Sequence, residues 1–139
     1  TRDLLVKVLP YHPFLVKPNN YELGEIFGVK LSTREEVVPY GKKLQEMGAQ
    51  NVLISMAGEG AVLIAADGQS MGAPAPKGTL VNGVGAGDSM VAGFLTGWME
   101  KKDYVHAFHM GIAAGSASAF SENLATREEV LQVLQQVEQ

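Results

Sequence analysis

Gly83, Gly85 and Gly87 alternate directly before Asp88, where a short run, Thr79-Leu80-Val81, gives way to an apolar stretch reaching about Met99. Glycines at a strand-to-helix junction let the backbone turn with positive φ and come close to a ligand, because no Cβ intervenes. The first turn of the helix adds unpaired N–H groups and partial positive charge, the physics of a phosphate cradle. A carboxylate in that turn is favoured by the helix dipole by about 0.3–1 kcal/mol. Placed beside a ring of N–H donors, it could take a proton from a hydroxyl while the donors hold the phosphoryl group under attack. The plainer alternative is that Asp88 decorates a helix N-terminus and the glycines only make the turn; the residues leave both open. Two better-known phosphate motifs do not fit. A Walker A loop needs Lys-Ser/Thr after its last glycine, where Asp88-Ser89 stands, and the dinucleotide fingerprint needs a glycine where Asp88 is.

Two further clusters have suitable residue types. Asn19 and Glu22 stand three apart directly after an apolar run. Strand carboxyl ends in open α/β sheets are where ligands bind, so the pair could orient Mg²⁺ through its water shell. Unaided, the spacing favours a helix cap with a first-turn acid. Ser55-Met56-Ala57-Gly58-Glu59-Gly60 ends another apolar run with two glycines. It could pass under a nucleotide phosphate, though a simple turn is the favoured reading. His12, His106 and His109 show only one i, i+3 pair, which fits a half-buried helix face better than a metal site.

The elements that must position these residues can be read from periodicity. Residues 1–9 have helical spacing and stop at Pro10, and 13–16 read as a short buried strand ending at Lys17-Pro18-Asn19. Asn19 or Asn20 can cap a helix closed by Gly28. Ser32-Thr33-Arg34-Glu35 matches a capping box for a longer helix ending at Gly48, with a kink or local break expected at Pro39. Strands are expected at 51–56, 61–66, 69–73, after a turn at Asp67-Gly68, and 77–81. The glycine-rich helix follows. Asp103 can then cap a long helix whose small residues, Gly111 to Ala119, admit another helix or a flat ligand. Thr126-Arg127-Glu128-Glu129 is a second capping box, opening a helix with Val130, Val133, Leu134 and Val137 inward. The order is that of an α/β domain with an antiparallel edge.

Composition narrows the function classes. The chain has 139 residues, 46% hydrophobic and 19% charged, as expected of one globular domain. A net charge of −4 with scattered Lys and Arg supplies no basic field for nucleic acid. The absence of cysteine excludes disulfides, thiolate metal sites and a Cys nucleophile, and fits a cytoplasmic protein. The longest charge-free stretch, Tyr104 to Ser121, is small rather than greasy, so no membrane span is expected.

Together KPNNYELGEIFG, VPYGKKLQEMGA, ISMAGEGAVL, KGTLVNGVGAGDSMVAGFLTG and GSASAFSENLAT resemble the ribokinase-like (PfkB) carbohydrate kinases, nearest to the phosphosugar branch of the bacterial 1-phosphofructokinases. The resemblance runs from Asp3 to about Glu129 and matches the C-terminal half of such a kinase; VPYGKKL also makes Pro39 a shared feature. It implies an α/β fold, ribokinase-like and three-layered (α/β/α). Residues 1–139 would be the C-terminal portion of the large domain and part of a single domain, without the lid and N-terminal strands. Carried over by position, the anion hole falls on Gly85, Ala86 and Gly87 and the catalytic base on Asp88. The Mg²⁺-associated pair falls on Asn19 and Glu22, and the nucleotide contacts on Ser55, Gly58 and Gly60, with Gly85 and Gly87 shared. The implied reaction moves the γ-phosphoryl of ATP to the 6-hydroxyl of fructose 1-phosphate, giving fructose 1,6-bisphosphate. Tagatose-6-phosphate kinase activity, or a nucleotide-binding module without catalysis, are the alternatives. Many relatives carry Asp-Thr-Thr before Gly-Ala-Gly-Asp; Asn82-Gly83-Val84 here matches the phosphosugar branch and leaves any monovalent-cation role unassigned. The missing half would supply most sugar contacts and a homodimer interface, so the chain alone is expected to have negligible kinase activity.

Overall fold

The computed structural model describes residues 2–56, 59–74, 86–120 and 127–138. The chain divides into two compact units, Thr1–Pro74 and Ala75–Gln139.

In the first unit, α1 (Arg2–Val8) continues as a 3-10 turn, Leu9–Tyr11, so the helix passes into Pro10 rather than stopping before it. The following strand, β1, is only Leu15–Val16. Helix α2 (Asn20–Phe27) is capped by Asn19 and closed by Gly28 in the left-handed conformation, as the sequence suggested. Helix α3 spans Arg34–Glu46 without a break, although Pro39 lies inside it. Pro39 is exposed, so the backbone carbonyl that loses its donor can turn to water.

The cap of α3 starts one residue later than expected. Thr33 is the N-cap, its Oγ1 accepting from Glu36 N at 3.2 Å. Glu36 Oε1 in return accepts from Thr33 N at 2.9 Å and Ser32 N at 3.0 Å. Both Ser32/Glu35 and Thr33/Glu36 satisfy the motif, and the second prevails because one carboxylate serves two backbone donors. The N–H groups of Ser32 and Thr33 hold the Glu36 carboxyl below the usual glutamate range.

Strands β2 (Asn51–Ser55), β3 (Ala61–Ile64) and β4 (Ser70–Ala73) complete a sheet of order β1-β2-β3-β4. β1 pairs parallel to β2, with Leu15 opposite Asn51 and Val16 opposite Val52. The other two pairings are antiparallel, confirming the expected antiparallel edge. The β3–β4 turn is the expected one at Asp67-Gly68, with Gly68 N donating to Ala65 O at 3.1 Å. Leu23, Val37 and Leu44 from the helices share one buried cluster with Val52, Ile54, Val62 and Ile64 of the sheet. Each such burial is worth about 1.5–3 kcal/mol relative to exposure.

In the second unit, α4 (Ala86–Lys101) and α5 (Tyr104–Phe120) pack closely along their small residues. Gly93 and Gly97 meet Ala107, Met110 and Ala114, so the small-residue face of α5 receives a helix. Phe94 and Phe108 are buried, and α6 (Arg127–Glu138) adds Leu134, with Val130 and Val133 beside it. Asp103 caps α5 as expected, its Oδ1 accepting from Val105 N at 2.8 Å. The expected strand at 77–81 and the cap residue Thr126 lie outside the described residues. Among the described residues no helix is long and apolar enough to cross a membrane.

Candidate functional site

Two sets of chemically suitable residues emerge, one in each unit. In the first, the chain leaves β1 through Lys17 and Pro18 and enters α2 at Asn19. Asn19 forms an isolated parallel bridge with Ser55, the last residue of β2, and Ser55 N donates to Pro18 O at 3.1 Å. The carboxyl ends of two adjacent parallel strands therefore meet at the N-terminus of α2. That is where open α/β sheets place ligands and where helix N–H groups favour anions.

Asn19 and Glu22 grip each other there. Glu22 N donates to Asn19 Oδ1 at 2.7 Å, and Asn19 N donates to Glu22 Oε1 at 3.0 Å. This is the complete capping box that the spacing favoured. Reciprocal bonding also holds the carboxylate in a defined direction at the strand ends, so cap and ligand site are compatible uses of one geometry. Among the described residues no group of three or more His, Cys, Asp or Glu could hold a metal ion. A cation here would be met by one carboxylate and one amide, a set suited to Mg²⁺, which keeps several waters.

From Ser55 the chain turns back into β3. Glu59 N donates to Met56 O and Met56 N to Gly60 O, both at 2.9 Å. Gly60 has φ +96°, and a Cβ there would run into Ala73 O and Pro74. The favoured turn reading of this segment thus holds for the described residues, with the turn seated against the end of β4. Gly58 lies outside the described residues.

In the second unit, Ala86 begins α4, Gly87 is half-buried, and Asp88 is exposed in the first turn. The Asp88 side chain reaches solvent at the positive end of the α4 dipole, where a hydroxyl could donate to it. Gly85 and the preceding glycines lie outside the described residues. His106 Nε2 stands 3.2 Å from Glu100 Oε1, and the His109 ring lies against Phe108.

The sequence reading passed over two residues. Lys17 brings a half-buried cation to the end of β1; the signal was a Lys-Pro directly before the cap, read only as a strand ending. Asn51 is fully buried yet polar, and it stood inside an apolar run where nothing marked it as different from a strand start.

Comparison with known proteins agrees with this architecture. The profile of the pfkB family carbohydrate kinases matches residues 1–131. The chain is 52% identical over 135 residues to 1-phosphofructokinase of Bacillus subtilis, covering 97% of this chain and 44% of that protein. It is 36% identical over 136 residues to D-tagatose-1-phosphate kinase of Bacillus licheniformis, with the same shares, 97% and 44%. It thus spans about half the length of the curated relatives it matches. A crystal structure of a Staphylococcus aureus protein assigned as a phosphofructokinase superposes with TM-score 0.91 at 40% identity, over 96% of this chain and 44% of that one. The tetrameric inhibited form of phosphofructokinase-2 from Escherichia coli superposes with TM-score 0.84 at 25% identity, over 97% and 44%. That tetramer shows that the shared fold does not dictate the expected homodimer. The fold is α/β and ribokinase-like, the chain covering part of the large domain, and the chain belongs to the pfkB family of carbohydrate kinases.

Proposed function

We propose that this chain carries the nucleotide-binding and catalytic elements of an ATP-dependent phosphosugar kinase that acts on fructose 1-phosphate. The observation that carries the reading is the meeting of Asn19, Glu22 and Ser55 at the carboxyl ends of two parallel strands, in a chain 52% identical to a 1-phosphofructokinase. On this reading both compact units are parts of one ribokinase-like domain.

The roles follow from the local chemistry. Ser55, Gly58 and Gly60 border the nucleotide, where small residues let backbone groups approach phosphate oxygens. Lys17 adds a cation at the same strand end. Asn19 and Glu22 offer hard oxygen donors of fixed direction to Mg²⁺, which when bound offsets the negative charge of the phosphates. Gly85, Ala86 and Gly87 give backbone N–H groups at the start of α4 to the transferring phosphoryl. The 6-hydroxyl oxygen attacks Pγ, the bond between Pγ and the β–γ bridging oxygen breaks, and ADP leaves. The hydroxyl proton passes to the Asp88 carboxylate.

A second reading concerns the sugar. The B. licheniformis relative is named for tagatose 1-phosphate, so the tagatose alternative moves from the 6-phosphate to the 1-phosphate. The two ketose 1-phosphates differ in configuration at one carbon and offer the same 6-hydroxyl. The stronger identity, 52% against 36%, favours fructose 1-phosphate.

The test is Asp88→Asn in the complete protein. A lost general base should lower kcat by about 10²–10⁴-fold, with ATP affinity within about twofold of the parent. An unaltered kcat would remove Asp88 from the role of base.

A further inference from the structure

Asn51 is the one buried polar side chain identified among the described residues, with 0% exposure. It opens β2 at the end opposite Ser55, and both ends of its amide are occupied. Nδ2 donates to Phe14 O at 2.9 Å, and Oδ1 accepts from Ala66 N at 2.7 Å. Its backbone N also donates to Phe14 O, at 3.0 Å. One residue therefore grips the carbonyl just before β1 twice, and holds the end of β3 with its remaining atom.

The grip matters because it is the buried tie at this end of the β1–β2 pair: Gln50 also donates, from N to Pro13 O and from Nε2 to His12 O, both at 2.9 Å, but its side chain is exposed and water can replace that bond. β1 is two residues long, Leu15-Val16, and the residues that follow Asn51 in β2 are Val52, Leu53 and Ile54, all buried. Register is normally specified by an alternating apolar pattern, since a slip of one residue sends core side chains to the wrong face. Here the slip that brings Phe14-Leu15 to where Leu15-Val16 stand exchanges one apolar residue for another, so in that direction the pattern imposes little penalty. A slip would instead take Phe14 O away from the buried Asn51 Nδ2 and leave that donor without a partner in the core, which is costly. A buried Asn is known to fix register in this way in coiled coils, at some expense in stability.

We infer that Asn51 is a positioning residue that sets the β1–β2 register and thereby holds Asn19 and Glu22 opposite Ser55. A slip of one residue moves a strand by about 3.3 Å. A binding constellation tolerates about 0.5 Å. The register seen at Leu15/Asn51 and Val16/Val52 carries on to the Asn19/Ser55 bridge, so an error at the Asn51 end is delivered to the strand carboxyl ends. The link to ATP rests on the function proposed above; the register role does not.

Loss of the amide can be separated from a general loss of stability. Asn51→Leu removes both side-chain bonds, and Asn51→Thr, better suited to a strand, leaves one hydroxyl for two partners. Leu134→Ala, in the buried cluster that Leu134 forms with Met110 and Ala113 in the second unit, lowers stability away from the Asn51 bonds and serves as the control. In the complete protein, amide hydrogen exchange would be read at Ser55, whose N–H bonds to Pro18 O, alongside the Kd for MgATP by calorimetry. The Asn51 variants should speed Ser55 exchange by about tenfold or more and weaken MgATP by a similar factor, as local opening of the strand pair predicts. Leu134→Ala should lower the melting temperature while leaving Ser55 exchange at the parent value. Ser55 protection that survives in both Asn51 variants, or is lost equally in Leu134→Ala, overturns the inference. Lost protection with unchanged Kd upholds Asn51 as the register pin and overturns the nucleotide reading of the strand ends.

Discussion

Gly93→Ala tests how closely α4, the helix that presents Asp88, must lie against α5. A Cβ at Gly93 would stand 2.6 Å from the Cβ of Ala114 and 2.6 Å from the backbone oxygen of Met110. Ordinary carbon contacts lie at about 3.5–4.0 Å, so the helices must part by roughly 1 Å. Neither neighbour can swing away, one being backbone and the other a methyl group fixed to it. Overpacking of this kind costs about 1–3 kcal/mol, and an immovable partner places this site towards the upper end. Against it stands the helix preference for alanine over glycine, about 1 kcal/mol. The expected result is a net loss of about 2 kcal/mol. Urea unfolding followed by Trp98 fluorescence reads it directly, because Trp98 is the single tryptophan and lies on α4. Adding Ala114→Gly should recover only part of the loss, since the Met110 oxygen remains. A Gly93→Ala protein stabilised by about 1 kcal/mol would show propensity acting without a clash, and would refute the close approach.

Two other outcomes follow from local geometry. The depressed Glu36 carboxyl stabilises the fold above the ordinary glutamate range, and that contribution is lost as pH falls through its folded-state value. Glu36→Gln keeps a side chain able to complete the box but removes the charge, so its melting temperature should fall less steeply between neutral and acid pH; an identical slope would assign the pH dependence elsewhere. Gly60→Ala forces a side chain onto φ +96° and into Ala73 O and Pro74, a cost of about 1–3 kcal/mol from backbone strain before the contact is counted. Thermal melts of the variant check it, and a melting temperature equal to the parent's would mean that the turn relaxes freely.

Local signals determined much of this protein. Gly28 as a helix stop, Asn19 with Glu22 as a cap, and Asp67-Gly68 as a hairpin turn were legible because each is decided by a few neighbouring residues and their backbone bonds. The apolar runs of β2 and β3 were legible in the same way, and so was Asp88 as the acid of a helix start. Family membership was written in the flanking stretches, from KPNN to the Gly-Ala-Gly-Asp turn. What the sequence left open was every choice between equivalent local solutions. Ser32/Glu35 and Thr33/Glu36 spell the same capping box, and only the simultaneous reach of Glu36 to two backbone donors selects between them. The small residues of α5 invited a helix or a ligand, and the close seat of Gly93 on Ala114 decides for the helix. Leu15-Val16 against Val52-Leu53-Ile54 says little about register; the inferred buried pin is Asn51, through its two bonds to Phe14 O, a residue distant in the chain. Those bonds exist only once the strands are side by side, so the meeting of Asn19 with Ser55 is a property of the tertiary structure.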